Sequence, residues 1–250
     1  MWIVRFGLPA AYCPLAVVVY FHGGGWVIAD KNVYDGGARG LCSTADAIVI
    51  SVDYRRSAEA KFPAAWEDAF AAYKWAVANA INLNGDPTRM ALAGESAGGN
   101  LAIATAIAAR DASVEKPRAI LAVYPVGQTG NMETESYRDS ANAKPLNKAM
   151  ISWFVDKLLA NPADKADPRL DLVNANLRGL PPVIIINAEI DPLRSDGEML
   201  EIAFKEAGVD VTRKLYNGVT HEFFGMAAVV SKAKDAQGYA GKKLKHALER

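Results

Sequence analysis

Met90-Ala91-Leu92-Ala93-Gly94-Glu95-Ser96-Ala97-Gly98-Gly99-Asn100-Leu101 joins a short apolar run to an alanine-rich run that continues to Arg110. The first reads as a buried strand, Met90 to Ala93, and the second as a helix, Leu101 to Arg110. Between them stands the pattern G-x-S-x-G with Ser96 at its centre. A serine on a sharp strand-to-helix turn has strained backbone angles. Glycines two residues before and two after it leave room for the turn while the hydroxyl projects outward. The helix that follows aims its first amides at the same point, where they can stabilise an oxyanion. Taken alone, the pentapeptide is equally compatible with a tight turn that packs a helix closely on a strand.

Phe21-His22-Gly23-Gly24-Gly25-Trp26 shifts that balance. It follows the apolar run Leu15 to Phe21, and three glycines let backbone amides approach a small anion. Acyl transfer needs such donors, because its tetrahedral intermediate carries negative charge on the former carbonyl oxygen. One donor changes the rate by about 10²- to 10³-fold. A strand, an amide-rich loop, and later a strand, an exposed serine and a helix make one coherent device.

A serine hydroxyl needs a base to take its proton and a third group to fix the base's tautomer. The chain has three histidines, His22, His221 and His246. His22 lies inside the glycine loop, where it is expected to hold that loop by hydrogen bonding to backbone. His246, in Lys242-Lys243-Leu244-Lys245-His246, reads as the solvated face of a terminal helix. His221 remains, in a turn signal Asn217-Gly218 that follows the strand-like run Val211 to Tyr216, and is taken as the base. The orienting acid should also lie just past the carboxyl end of a strand. Asp191 is chosen, because Asp191-Pro192 starts a turn after the apolar run Val183 to Ala188. Glu189 and Asp196 compete with it. Asp196 is expected to serve the first turn of a helix from Ser195 to Ala207, closed by Gly208, while Glu189 stays open as a supporting acid.

Together, His22-Gly23-Gly24-Gly25-Trp26, Gly94-Glu95-Ser96-Ala97-Gly98-Gly99-Asn100, Asp191-Pro192-Leu193 and His221-Glu222-Phe223-Phe224 resemble the bacterial hormone-sensitive-lipase-like esterases of the α/β-hydrolase fold. The order serine, acid, histidine is that of α/β hydrolases. Val52-Asp53-Tyr54-Arg55, Phe62-Pro63-Ala64-Ala65 and Leu180-Pro181-Pro182 add to the likeness, which runs from about Leu15 to the end. The resemblance implies Ser96 as nucleophile, Asp191 and His221 as its partners, and amides of Gly23, Gly24, Gly25 and Ala97 as the oxyanion hole. It also implies a small, short-acyl ester as substrate and no cofactor.

Family members usually carry two cap helices and two early strands ahead of the glycine loop, whereas twenty-one residues precede His22 here. A truncated or naturally capless form with a wide, wet site is therefore expected, with Trp2 to Phe6 as a remnant strand. Arg55-Arg56-Ser57-Ala58-Glu59 replaces the family's more usual Leu-Ala-Pro after the arginine, a change to a supporting turn. The first twenty-one residues superficially resemble a signal peptide. Cleavage there would remove the strand carrying the glycine loop, so the segment is read as structural.

The 250 residues suit a single domain spanning 1–250. Lysine plus arginine equals aspartate plus glutamate at 28 each, so no basic excess attracts nucleic acid. Cys13 and Cys42 are too few for a disulfide framework, and Cys42 reads as a small buried hydrophobe. No pair of cysteines or histidines has metal-ligand spacing. No run of about 18 uninterrupted apolar residues marks a membrane span. A cytoplasmic protein is the default expectation, with homodimer pairing through the last strand left open.

Strands are expected near Ala16 to Phe21, Ala47 to Asp53, Met90 to Ala93, Ala119 to Tyr124, Val183 to Ala188 and Val211 to Tyr216, alternating with helices such as Pro63 to Asn82, with Pro63 in its first turn. That pattern implies an α/β fold with a mainly parallel twisted sheet covered on both faces. One long excursion, Gly127 to Gly179, with a helical run from Lys148 to Ala160, reads by resemblance as the remaining part of a reduced cap. Its Trp153 and Phe154, together with Met132, Tyr137 and Phe223, are either pocket lining or ordinary packing. Two other functions stay open at this stage. One is a different acyl transfer, amidase or transacylase; the other is a ligand-binding protein on the same fold, although such receptors typically lack the histidine that His221 supplies.

Overall fold

The computed structural model describes residues 2–4, by backbone alone, together with 14–57 and 59–249. Cys13, Phe6 and Ala58 lie outside the described residues. The strands are β1 (Trp2–Val4), β2 (Leu15–Phe21), β3 (Ala47–Val52), β4 (Gly85–Glu95), β5 (Ala119–Val123), β6 (Val183–Ile190) and β7 (Val211–Thr220). The helices are α1 (Asp35–Ala45), α2 (Ala64–Asn79), α3 (Ala97–Asp111), α4 (Glu135–Asp139), α5 (Lys148–Leu158), α6 (Arg194–Glu206) and α7 (Ser231–Glu249).

The strands form one sheet in the order β1-β3-β2-β4-β5-β6-β7. All neighbours pair in parallel except β1 and β3. The near-continuous apolar runs are those of strands buried on both faces. Val17, Val19 and Phe21 of β2 face one side with Leu92 of β4, against α2, α3, α5 and α6. Val18 and Tyr20 face the other with Ala91 and Ala93, against α1 and α7. Period-two alternation thus feeds two separate cores from each of β2 to β6.

Six of the seven strands among the described residues stand where the apolar and alternating runs predicted. The seventh, β1, falls within the Trp2 to Phe6 run and pairs antiparallel with β3, Trp2 opposite Ser51. The expected turn at Asn217-Gly218 is instead a bulge inside β7. Gly218 takes φ of 68°, the register shifts between Ala188 and Ile190, and pairing resumes at Ile190 opposite Thr220. This extends β7 by four residues and brings its end directly to His221. Pro63 sits just ahead of α2 at its N-cap, not inside the first turn, because the helix begins at Ala64. Gly208 closes α6 with φ of 73°, and Cys42 is buried on α1.

Between β5 and β6 the chain makes its long excursion through α4 and α5. Asn147 caps α5 by accepting the Met150 amide at 2.9 Å. Ile151, Phe154, Val155 and Leu158 repeat at helical spacing and bury against the α2–α3 side of the core. Among the described residues no helix is long and apolar enough to cross a membrane.

Candidate active site

The carboxyl ends of β2, β4, β6 and β7 deliver His22, Ser96, Asp191 and His221 to one end of the sheet. Ser96 stands between β4 and α3 with φ of 57° and ψ of −119°, a conformation that side-chain-bearing residues rarely hold. The turn is possible because a β-carbon at Gly98 would lie 2.0 Å from the Phe21 carbonyl oxygen, a separation only glycine avoids. The Ser96 amide donates to Val123 O at 2.9 Å, which fixes the turn to β5.

His221 Nε2 lies 3.0 Å from Ser96 Oγ, and His221 Nδ1 lies 2.7 Å from Asp191 Oδ2. The other Asp191 oxygen accepts the Leu193 amide at 2.9 Å, so the aspartate is held from both sides. All three side chains are buried. Burial alone pulls the imidazole's pKa down. The charge and hydrogen bond of Asp191, with smaller contributions from Glu222 and Glu95, outweigh that effect and hold it above the ordinary histidine value.

Glu189 does not join this chain of contacts. Its Oε2 accepts the Gly218 amide at 2.6 Å, tying β6 to the bulge three residues before His221. Asp196 stands in the first turn of α6, as expected, and does more than that. Its Oδ2 also accepts the amides of Gly127 at 3.0 Å and Gln128 at 3.4 Å, so it fastens the start of the long excursion. Burial pushes this carboxyl up to about 7, against the pull of those two amides.

His22 is buried and stacks on Tyr54 with ring centroids 4.2 Å apart. Its Nδ1 is 2.7 Å from Gly23 O, and Tyr54 OH donates to His22 O at 2.8 Å, so the histidine holds the glycine loop as expected. His246 is exposed on α7 and lies beside Val183 and Thr212 at the opposite, amino-terminal ends of β6 and β7. In the loop itself, Gly24 has φ of 95° and its carbonyl accepts the amides of Val27 and Ile28, both at 3.0 Å. The amides of Gly23, Gly24, Gly25 and Ala97 donate to no protein acceptor among the described residues. Gly24 and Gly25 line the same cavity as Ser96; Gly23 lies behind them, against the Tyr34 ring.

That cavity has a volume of about 420 Å³ and is walled mostly by apolar groups. Phe154 is the only aromatic named from the excursion that lines it, directly over Gly25. Trp153 points its ring to the surface at 46% exposure, Met132 and Tyr137 pack in the α2–α3 core, and Phe223 packs in the other.

Sequence reasoning passed over five residues here. Glu95, immediately before Ser96, is buried and accepts hydrogen bonds from the hydroxyls of Tyr20 and Tyr124, with burial raising it to about 7. Tyr124 also packs on the His221 ring, centroids 4.4 Å apart. Tyr34 OH donates to Glu222 Oε1 at 2.6 Å. A charged residue directly after the apolar run Met90 to Gly94 was the available signal for Glu95; nothing local marks its tyrosine partners, which come from β2 and from the residue after β5.

A mainly parallel sheet with this turn after β4 defines the α/β-hydrolase class. The profile of the Abhydrolase_3 family, alpha/beta hydrolase fold, matches residues 18–225. Carboxylesterase NlhH of Mycobacterium tuberculosis is 38% identical over 238 residues, covering 94% of this chain and 74% of that protein. An arylesterase of Saccharolobus solfataricus is 35% identical over 220 residues, 84% of this chain and 68% of its own. The solved esterase of Pyrobaculum calidifontis superposes with a TM-score of 0.93 at 35% identity, covering 98% of this chain and 79% of that one. The chain belongs to the Abhydrolase_3 family, and its relatives are the hormone-sensitive-lipase-like esterases its motifs resemble.

Proposed function

We propose that this chain is a carboxylesterase that hydrolyses small, short-acyl carboxylic esters through an acyl-enzyme. The observation that carries the reading is the unbroken path Asp191 Oδ2, His221 Nδ1, His221 Nε2, Ser96 Oγ, with contacts of 2.7 and 3.0 Å, opening into an apolar cavity. His221 takes the Ser96 proton as the hydroxyl attacks the ester carbonyl. Amides of the Gly23 to Gly25 loop and of Ala97 receive the oxyanion, and their lack of protein acceptors supports that role. His221 then returns the proton to the departing alcohol, and water repeats the sequence on the acyl-enzyme.

The reading treats residues 1–250 as one domain, with the excursion through α4 and α5 as a reduced cap whose Phe154, Leu146 and Met150 bound the substrate. A wall of that kind favours short acyl chains. The test is Ser96→Ala, which should lower turnover of p-nitrophenyl acetate by at least about 10³-fold while circular dichroism stays unchanged. Substantial turnover by the folded variant refutes the assignment. Faster turnover of an amide than of its matched ester would favour an amidase instead.

A further inference from the structure

No lysine or arginine lines the cavity over Ser96 among the described residues, but two carboxyl groups do. Glu95 offers nothing to a ligand, because Tyr20 and Tyr124 occupy its two oxygens. Glu222 differs. Its backbone is left-handed, with φ of 70°, an uncommon conformation for a residue carrying a side chain. Tyr34 OH holds its Oε1 at 2.6 Å, and the same oxygen lies 3.7 Å from His221 Nε2. The side chain keeps 30% of its surface exposed, and Oε2 accepts no hydrogen bond among the described residues.

The position of this carboxylate assigns it to one half of the substrate. His221 Nε2 gives the proton to the leaving alcohol, so the alcohol oxygen has to come within about 3 Å of that nitrogen. A carboxylate 3.7 Å from the same nitrogen stands beside the alcohol, not the acyl chain. A positive charge two carbons along the alcohol reaches Glu222 while its alkyl groups rest on the apolar wall. The Tyr34 ring in the same wall suits a weakly hydrated alkylammonium.

Building on the esterase reading above, we propose that Glu222 makes the alcohol subsite selective for esters of cationic amino alcohols, with Tyr34 fixing the carboxylate in place. Unit charges about 5 Å apart at a partly wet site attract strongly enough to give a preference of about tenfold after screening.

The experiment compares acetylcholine with its uncharged isostere, 3,3-dimethylbutyl acetate, on the purified full chain, reading the ratio of their kcat/KM values. Both esters share the acetyl group and depend on His221 equally, so any effect of a substitution on the chemistry itself cancels in the ratio. The expected result is a ratio of about ten for the unaltered protein, falling towards one in Glu222→Gln and falling with added salt. A ratio at or below one in the unaltered protein overturns the proposal, whether or not any variant folds. So does a ratio that Glu222→Gln leaves unchanged. Failure of the unaltered protein to hydrolyse either ester or p-nitrophenyl acetate would overturn the esterase reading itself, a result distinct from neutral turnover without charge preference.

Discussion

Glu189 Oε2 accepts the Gly218 amide at 2.6 Å across the β6–β7 pair, the same pair over which Asp191 reaches His221. One strand end thus sends two carboxylates to its neighbour, one to the backbone bulge and one to the imidazole. Glu189→Ala removes the bulge contact, a charge-assisted hydrogen bond worth about 1–2 kcal/mol. The expected outcome is a lower melting temperature and a severalfold loss of kcat with little change in KM, read by calorimetry and steady-state kinetics. Unchanged kcat would show that the bulge holds His221 without it.

Asp191→Asn should act far more strongly, because it takes away both the tautomer control and the charge. A loss of about 10⁴-fold in kcat/KM is expected. The pH profile supplies a second readout. The base works neutral, so activity is lost as pH falls through the His221 pKa, which Asp191 helps to hold above the ordinary value. Without that push, the acid limb of the residual activity should move to lower pH. A limb that stays in place would mean that Asp191 does not set the imidazole's charge.

Glu95 links stability to pH. Burial raises its folded-state pKa from 4.5 to about 7, so the folded protein binds this proton more tightly than the unfolded chain does. Its contribution is fully present below about 4.5 and is lost as pH rises to about 7, up to about 3 kcal/mol in all. Glu95→Gln cannot titrate. Urea unfolding at a series of pH values should therefore show the unaltered protein losing stability relative to the variant over that window. A constant difference would refute the linkage. Asp196 titrates in the same range but is common to both proteins.

Phe154 bounds the cavity over Gly25. Phe154→Leu keeps the core apolar and shortens the wall, at a cost of about 1–2 kcal/mol. The preferred acyl chain should lengthen by one or two carbons in a series of p-nitrophenyl esters. An unaltered profile would place the acyl pocket elsewhere.

Much of this was legible in the sequence because parallel strands buried on both faces advertise themselves as apolar runs, and the residues following them were few. Ser96 and Asp191 each follow such a run, His221 follows the alternating run of an edge strand, and the scarcity of histidine narrowed the candidate base to one. The misreadings have physical causes. Asn217-Gly218 carries turn chemistry, but a bulge uses the same left-handed glycine without ending the strand. Asp196 was legible as a helix-start acid, but not its contacts to Gly127 and Gln128, which lie about seventy residues away. The tyrosines around Glu95 come from β2 and from the residue just after β5, and only the strand order brings them together.

The strand order has one more effect. Ser96 follows β4, in the interior of the sheet, while His221 follows β7, an edge strand with eight of its ten residues partly or fully exposed. The residue proposed as proton acceptor therefore stands at the margin of the sheet. Fraying of that edge ahead of the core is expected to end activity below the global melting transition, a gap that inactivation rates set against calorimetry would reveal.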